Sequence, residues 1–236
     1  MIKISNLEKR FGKLEVLKKV SVEIQPGKVT AIVGPNGSGK TTLIKSILGL
    51  VKPDSGTIEV NNQIVNGDCS YKNDIGYMPQ LARYPENLSV DEVIKMIKDL
   101  RNSEAEVNSE LLDGFNLYKE MEKPFRNLSG GTKQKVSALI AFMFNPKILI
   151  LDEPTAGLDP VSSSFFKDVI NKEKEKGKTI ILTSHIMSEL EELSNDIAFL
   201  LEGKIKYHGS VDDLLINKSK NNLERAIASM MCEVEL

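Results

Sequence analysis

The chain has 236 residues, a formal net charge of −2 and 41% hydrophobic content. That is enough apolar material for one domain with a substantial buried core, and the near-neutral charge argues against a basic nucleic-acid scaffold. The two cysteines, Cys69 and Cys232, lie far apart and show neither metal-ligand spacing nor a disulfide framework, which fits a reducing, cytoplasmic setting.

The N-terminus is polar from Lys3 onward, so no signal peptide is expected there. In Lys9-Arg10-Phe11-Gly12 the aromatic reads first as an ordinary strand-end residue. The continuous apolar and β-branched run Val29–Val33 has the pattern of a buried parallel strand. It leads into Gly34-Pro35-Asn36-Gly37-Ser38-Gly39-Lys40-Thr41, and from Thr42 to residue 48 the apolar residues fall at helical spacing. A G-x-x-x-x-G-K-[ST] loop between a strand and a helix is a P-loop. Its glycines let several backbone N–H groups converge on phosphate oxygens, and the helix dipole adds favourable potential for an anion. Lys40 is expected to reach the β- and γ-phosphates, and the Thr41 hydroxyl to ligate Mg²⁺.

Pro53-Asp54-Ser55-Gly56 reads as a turn and Asn61-Asn62 as a hairpin signal. The strand Ile75-Gly76-Tyr77-Met78 precedes Gln80. From about residue 85 to 128 the pattern becomes helical, with Val90, Val93, Ile94, Ile97 and Leu100, then Leu111 and Leu112. Leu128-Ser129-Gly130-Gly131-Thr132 opens an apolar helix through Val136, Ala138, Leu139, Ile140 and Phe142. The longest apolar run, residues 138–144, is too short to span a bilayer.

A second strand, residues 148–151, ends at Asp152 and Glu153. The carboxyl edge of a parallel sheet is where ligands bind in open α/β folds. Asp152 suits the hard-oxygen shell of Mg²⁺, and Glu153 is placed to orient and deprotonate a water. A solvated acidic turn is the plainer alternative, and the P-loop in the same chain weighs against it. Asp159 before Pro160 reads as a helix entry. The charged run 171–178 reads as a solvated helix end stopped by Gly177. A further strand leads to His185, whereas His208 reads as an ordinary surface or core group.

These motifs in this order resemble the ATP-binding subunits of ABC transporters, over nearly the whole chain. The resemblance implies a P-loop ABC ATPase core of α/β class, with an antiparallel β subdomain and an inserted helical subdomain at about 85–128. Residues 1–236 would form a single ATP-binding domain. The resemblance implies that Gly34, Pro35, Asn36, Gly37, Ser38, Gly39, Lys40, Thr41 and Thr42 cradle ATP, with Phe11 stacked on adenine. Thr41, Gln80 and Asp152 would hold Mg²⁺, Glu153 would be the base, and His185 would contact the γ-phosphate. Ser129, Gly130 and Gly131 match the signature motif, which faces ATP held by a second subunit, and Asp159 lies in a loop that crosses that interface. The expected partners are a second copy or a paralogous ATPase and a separate transmembrane permease. The chain would sit peripherally on the cytoplasmic face of the inner membrane, and no nucleic acid is expected. Two positions depart from the family pattern: Thr132 replaces the usual Gln, which would weaken a polar contact across the dimer, and Phe11 replaces a frequent Tyr.

The tail, residues 218–236, places Leu223, Ala226, Ile227, Met230, Met231 and Val234 at helical spacing, so one apolar face is expected on the core. Met230-Met231-Cys232 carries soft sulfur that suits copper(I), but successive helical residues do not converge on one point, and Met commonly fills cores. The chain also resembles ATPases that serve copper-enzyme maturation in nitrous-oxide reduction, a likeness that establishes no copper site. The short tail leaves no room for the regulatory domain of many sugar-importer ATPases and resembles the ATPases of ABC-2-type efflux systems. Soluble ABC ATPases acting on DNA or ribosomes are the rival class. They carry a coiled-coil insertion or two cassettes, and neither is found here. A non-enzymatic binding module would not need Glu153 and His185.

Overall fold

The computed structural model describes residues 1–217 and 222–232. In chain order the elements are β1 (Ile2–Phe11), β2 (Leu14–Ile24), β3 (Val29–Val33), α1 (Lys40–Ile47), β4 (Ser55–Val60), β5 (Gln63–Ile64) and β6 (Ile75–Met78). There follow α2 (Val90–Leu100), α3 (Ser109–Gly114), α4 (Gly130–Phe142), β7 (Ile148–Asp152), α5 (Pro160–Glu175), β8 (Thr179–Thr183) and α6 (Met187–Leu193). The last described elements are β9 (Asp196–Leu201), β10 (Lys204–Ser210), α7 (Val211–Asn217) and α8 (Leu223–Cys232).

Two sheets organise the chain. A six-stranded sheet has the order β10-β9-β3-β8-β7-β6, parallel throughout except for β10 at its edge. A four-stranded antiparallel sheet has the order β2-β1-β4-β5. Its β4–β5 turn uses Asn61 and Asn62 at φ 48° and 65°, the left-handed pair that a two-residue hairpin requires.

Both faces of the parallel strands are buried, which is why they read as unbroken apolar runs rather than alternating ones. Val29, Ala31, Val33, Leu149 and Leu151 point to a core shared with Val136, Phe142, Phe166 and Leu190 of α4, α5 and α6. Ile32, Ile148, Ile150 and Ile181 point the other way, against Leu43 and Ile47 of α1 and against Ile2, Leu7 and Leu17 of the antiparallel sheet. α2 starts at a reciprocal cap: Ser89 Oγ accepts from the Glu92 amide, and Glu92 accepts from the Ser89 amide. Val90, Ile94, Leu111, Phe115 and Phe125 join the first core.

Two expectations are corrected. Glu173, in the run expected to be a solvated helix end, is buried between Lys176 and Lys178. In the tail, α8 buries Leu223, Ala226, Ile227 and Met230, but Met231 is exposed, because adjacent helical residues point about 100° apart. Val234 lies outside the described residues.

The strand order also fixes where the chemistry sits. β3, β8, β7 and β6 are successive neighbours, so their carboxyl ends lie side by side. Those ends release the P-loop, His185, Glu153 and Gln80 in turn. The β7–β8 register sets Asp152 directly against Thr183.

Candidate active site

The P-loop leaves β3 and enters α1 through Gly39, which adopts φ 110° and gives the helix no side-chain cap. The first amides of α1 therefore remain available to an anion. Two glycines are required by close approach: a side chain at Gly34 would drive into the carbonyl oxygen of Leu200, and one at Gly39 would meet Leu17 Cδ2 at 2.9 Å. At Gly37 the space is open. Ser38 is 3% exposed, and its hydroxyl has no hydrogen-bond partner among the described residues. An orphaned hydroxyl in a loop of open amides fits a polyphosphate, which would supply the missing acceptor.

Lys40 Nζ donates to the carbonyls of Gly34 at 2.7 Å and Pro35 at 3.0 Å. Two of its three donors are thus used, and one stays free for a ligand. Burial pushes the Lys40 amine below its usual pKa, and the carboxylates of Glu153 and Asp152 oppose that shift. A desolvated cation between a phosphate-shaped loop and two acids is a ligand-ready arrangement. Thr41, expected on Mg²⁺, is exposed, and Thr42 is half-buried beside it.

The ends of β7 and β8 are tied together by Thr183. Its hydroxyl donates to Asp152 Oδ1 at 2.5 Å and accepts from the Glu153 amide at 3.1 Å. The Glu153 amide also donates to the Thr183 carbonyl at 3.0 Å. Glu153 itself stands at φ 52°, a left-handed backbone that costs a non-glycine residue about 1–3 kcal/mol. The carboxylate this backbone presents meets His185: Nε2 lies 2.9 Å from Glu153 Oε1. The sheet edge thus brings Glu153 and His185 into contact, with Asp152 beside them. Burial, then the charge of Asp152, pushes Tyr77 on β6 up to about 12.

Other expected residues are more loosely placed. Gln80 is exposed just beyond β6, where the register Met78↔Leu151 carries it past Asp152. Phe11 is 50% exposed at the β1–β2 hairpin end, with Lys9 Nζ 5.3 Å from its ring centre. The same hairpin reaches the P-loop through Val16 and Leu17 at Gly39. Asp159 caps α5: it accepts from the Ser162 amide at 2.9 Å and from Ser162 Oγ at 2.6 Å. The Ser162 hydrogen bonds, then Lys135 Nζ at 3.2 Å, hold the Asp159 carboxyl well below the usual range. Ser129 and Gly130 are exposed at the start of α4. Ser129 Oγ accepts from the Thr132 amide at 3.1 Å and lies 2.9 Å from Thr132 Oγ1. Thr132, expected to weaken a contact across the dimer, makes one with the signature serine within its own chain.

Gln134 escaped the sequence reading. Gln134, buried on α4, donates to the Glu153 carbonyl at 3.0 Å and so grips the left-handed residue from the side opposite Thr183. A polar residue on the buried stripe shared with Ala138 was the available signal. Gly131 packs onto the Gly157 carbonyl, where an added Cβ would stand 2.7 Å away.

An uncapped phosphate loop, with an acid pair from the adjacent strand ends and a histidine on the second acid, has the chemistry that nucleotide hydrolysis needs. Residues 17–156 match the family described as ABC transporter. The chain belongs to the ABC transporter family. It is an ATP-binding and ATP-hydrolysing, energising subunit of such a transporter. The lantibiotic transport ATP-binding protein SrtF of Streptococcus pyogenes is 37% identical over 217 residues, covering 89% of this chain and 93% of the relative. The linearmycin resistance ATP-binding protein LnrL of Bacillus subtilis is 33% identical over 219 residues, covering 91% of this chain and 70% of the relative. A solved ATP-binding subunit of an ABC transporter superposes with a TM-score of 0.90 at 28% identity, covering 98% of this chain and 99% of that one. A dimeric ATP-binding cassette in a post-hydrolysis state, bound to ADP and Pi, gives 0.79 at 25% identity, covering 89% and 99%.

Proposed function

We propose that two copies of the chain, or one copy and a paralogous ATPase, close head-to-tail around two ATP molecules and thereby drive a separate membrane-spanning permease. Each ATP lies between the P-loop of one subunit and Ser129-Gly130-Gly131 of the other. The observation that carries this reading is the Glu153–His185 contact near the half-buried Lys40, whose charge both Glu153 and Asp152 feel. Glu153 takes the proton of the attacking water, and His185 holds that carboxylate in place. Lys40 binds the phosphates, and Phe11 stacks on adenine. Mg²⁺, held by Thr41, Gln80 and Asp152, would supply charge neutralisation on the phosphate oxygens.

The dimeric cassette bound to ADP and Pi supports the pairing. Two reciprocal sites make a closed twofold assembly, and loss of the γ-phosphate charge weakens what both halves grip. Among the described residues no helix is long and apolar enough to cross a membrane, and the transport ATP-binding relatives favour a peripheral subunit on the cytoplasmic face. The lantibiotic and linearmycin relatives favour an efflux permease. The copper-linked subgroup gains nothing from the tail, where Met230 is buried while Met231 is exposed.

The test is Glu153→Gln. Losing a positioned base costs about 10²–10⁴-fold in rate, so turnover should nearly stop while ATP still binds. With Mg-ATP the variant should sediment as a dimer, with its permease if not alone. Wild-type turnover would remove Glu153 from the role, and a monomer under both conditions would overturn the paired site.

A further inference from the structure

Glu189 is a carboxylate that the chemistry above does not use. It lies in the first turn of α6 and is only 9% exposed. Burying a carboxylate is unfavourable unless hydrogen bonds satisfy it. Glu189 Oε2 accepts from Thr155 Oγ1 at 2.7 Å and from Ser184 Oγ at 3.3 Å. The nearby charge of Lys167 and the helix N-terminus add favourable potential.

The two donors belong to different loops. Thr155 stands two residues after Glu153, on the segment leaving β7, and Ser184 immediately precedes His185, on the segment leaving β8. Ser184 Oγ also accepts from the Ile186 amide at 3.0 Å, closing a turn around His185. One buried oxygen therefore fastens together the two segments that carry the 2.9 Å Glu153–His185 contact. Both side chains of that pair are partly exposed, at 18% and 50%, so packing alone does not fix their relative position.

We propose that Glu189 is a positioning residue for hydrolysis, holding the catalytic glutamate and its histidine in register by clamping Thr155 to Ser184. It touches neither nucleotide nor water and acts through the two loops. The proposal rests on Glu153 being the base. A displacement of about 1 Å at a reacting group can cost 10²-fold, whereas nucleotide affinity is set at the P-loop and should not move. The effect should therefore fall on kcat and not on ATP binding.

The experiment compares Glu189→Leu, Glu189→Gln, Thr155→Val and the double variant Glu189→Leu, Thr155→Val, with Glu153→Gln as control. ATPase kinetics and ATP affinity by calorimetry are measured for each. Glu189→Leu should lower kcat about 10–100-fold with ATP affinity within twofold of wild type. Glu189→Gln, which keeps an oxygen acceptor for both hydroxyls, should recover most of that loss. Thr155→Val, which keeps the side-chain shape and removes only the hydroxyl, should lower kcat in the same direction. The double variant should be no worse than Glu189→Leu, because both remove one contact. Unchanged kcat in a folded Thr155→Val, or kcat and affinity falling together in Glu189→Leu, overturns the clamp while a dead Glu153→Gln leaves the base assignment standing. If Glu189→Leu does not fold, Thr155→Val and Glu189→Gln decide the question. A fully active Glu153→Gln overturns both assignments.

Discussion

Two helix N-termini in this chain are both suited to phosphate, and they are built in opposite ways. α1 begins at a left-handed glycine with no side-chain cap, a buried orphan hydroxyl at Ser38 and a desolvated Lys40. α4 begins at an exposed Ser129 whose hydroxyl already caps the Thr132 amide. The first terminus is incomplete without a ligand. The second has one amide already capped, which leaves fewer open donors for an anion than α1 offers. On the paired-site proposal, the contrast separates a primary site that binds nucleotide in a single chain from a surface that closes on nucleotide held by a second subunit.

The largest effect that could break this contrast is at α4. Ser129→Arg would push a bulky cation into the proposed contact with the second subunit's nucleotide, where overpacking costs about 1–3 kcal/mol. Placed in the Glu153→Gln background, it should weaken Mg-ATP-dependent dimerisation by about 10²-fold or more. ATP affinity of the monomer should stay unchanged. Sedimentation and calorimetry on the same sample separate the two. A double variant that dimerises normally would take the signature motif out of the interface.

The next effect is at α1. Lys40→Ala removes a cation that gives charge-assisted hydrogen bonds of about 1.5–3 kcal/mol, so ATP affinity should fall roughly 10–100-fold. Apo stability should change little, because the partial desolvation of the ammonium offsets its hydrogen bonds to the Gly34 and Pro35 carbonyls. The pH dependence has a definite sign. A lysine whose folded pKa is lowered contributes stability that is present above its unfolded value and lost as pH falls through the folded one. The wild-type chain should therefore gain on Lys40→Ala as pH is raised in the alkaline range, which thermal melts at a pH series would register. Unchanged nucleotide affinity would refute the P-loop assignment.

What the sequence made legible follows from how each feature is encoded. The P-loop, the Asp152-Glu153 strand end and the Ser129 motif are contiguous, and each requires a fixed local backbone, so residue order alone reveals them. The fold class followed from unbroken apolar runs alternating with helical spacing. The supports of the site are encoded differently. Thr183, Gln134, Thr155, Ser184 and Glu189 are single polar residues whose partners come from other elements, brought close by a strand order that no local pattern states. Charge misled in one place: the Lys/Glu-rich run looked solvated, yet Glu173 is buried because two lysines from the same run fold over it. Thr132 has a role that residue order did not reveal. It also lies against Ser129 within its own chain, a relation visible only once the helix start is built, and the expected loss of a contact across the dimer is a separate matter.

The smallest effect sharpens the primary site on its sugar-and-base side. Phe11 projects half-exposed from the β1–β2 hairpin, whose Val16 and Leu17 brace Gly39, so the same hairpin that shapes the phosphate loop carries the ring. Lys9 lies over that ring, and a stacked base would share it with this cation. Stacking is worth about 0.5–1.5 kcal/mol beyond area burial, so Phe11→Ala should weaken ATP binding only about 2- to 12-fold. Phe11→Tyr should change little, because the ring face makes the contact and a hydroxyl adds nothing to it. The decisive comparison is ligand-dependent: Phe11→Ala should weaken ATP and AMP by the same factor, whereas Lys40→Ala should penalise ATP far more than AMP. Equal factors in the two variants would mean that the hairpin and the loop do not read separate ends of one nucleotide. A Phe11→Ala chain with wild-type affinity for both ligands would leave Phe11 a plain hairpin-end residue.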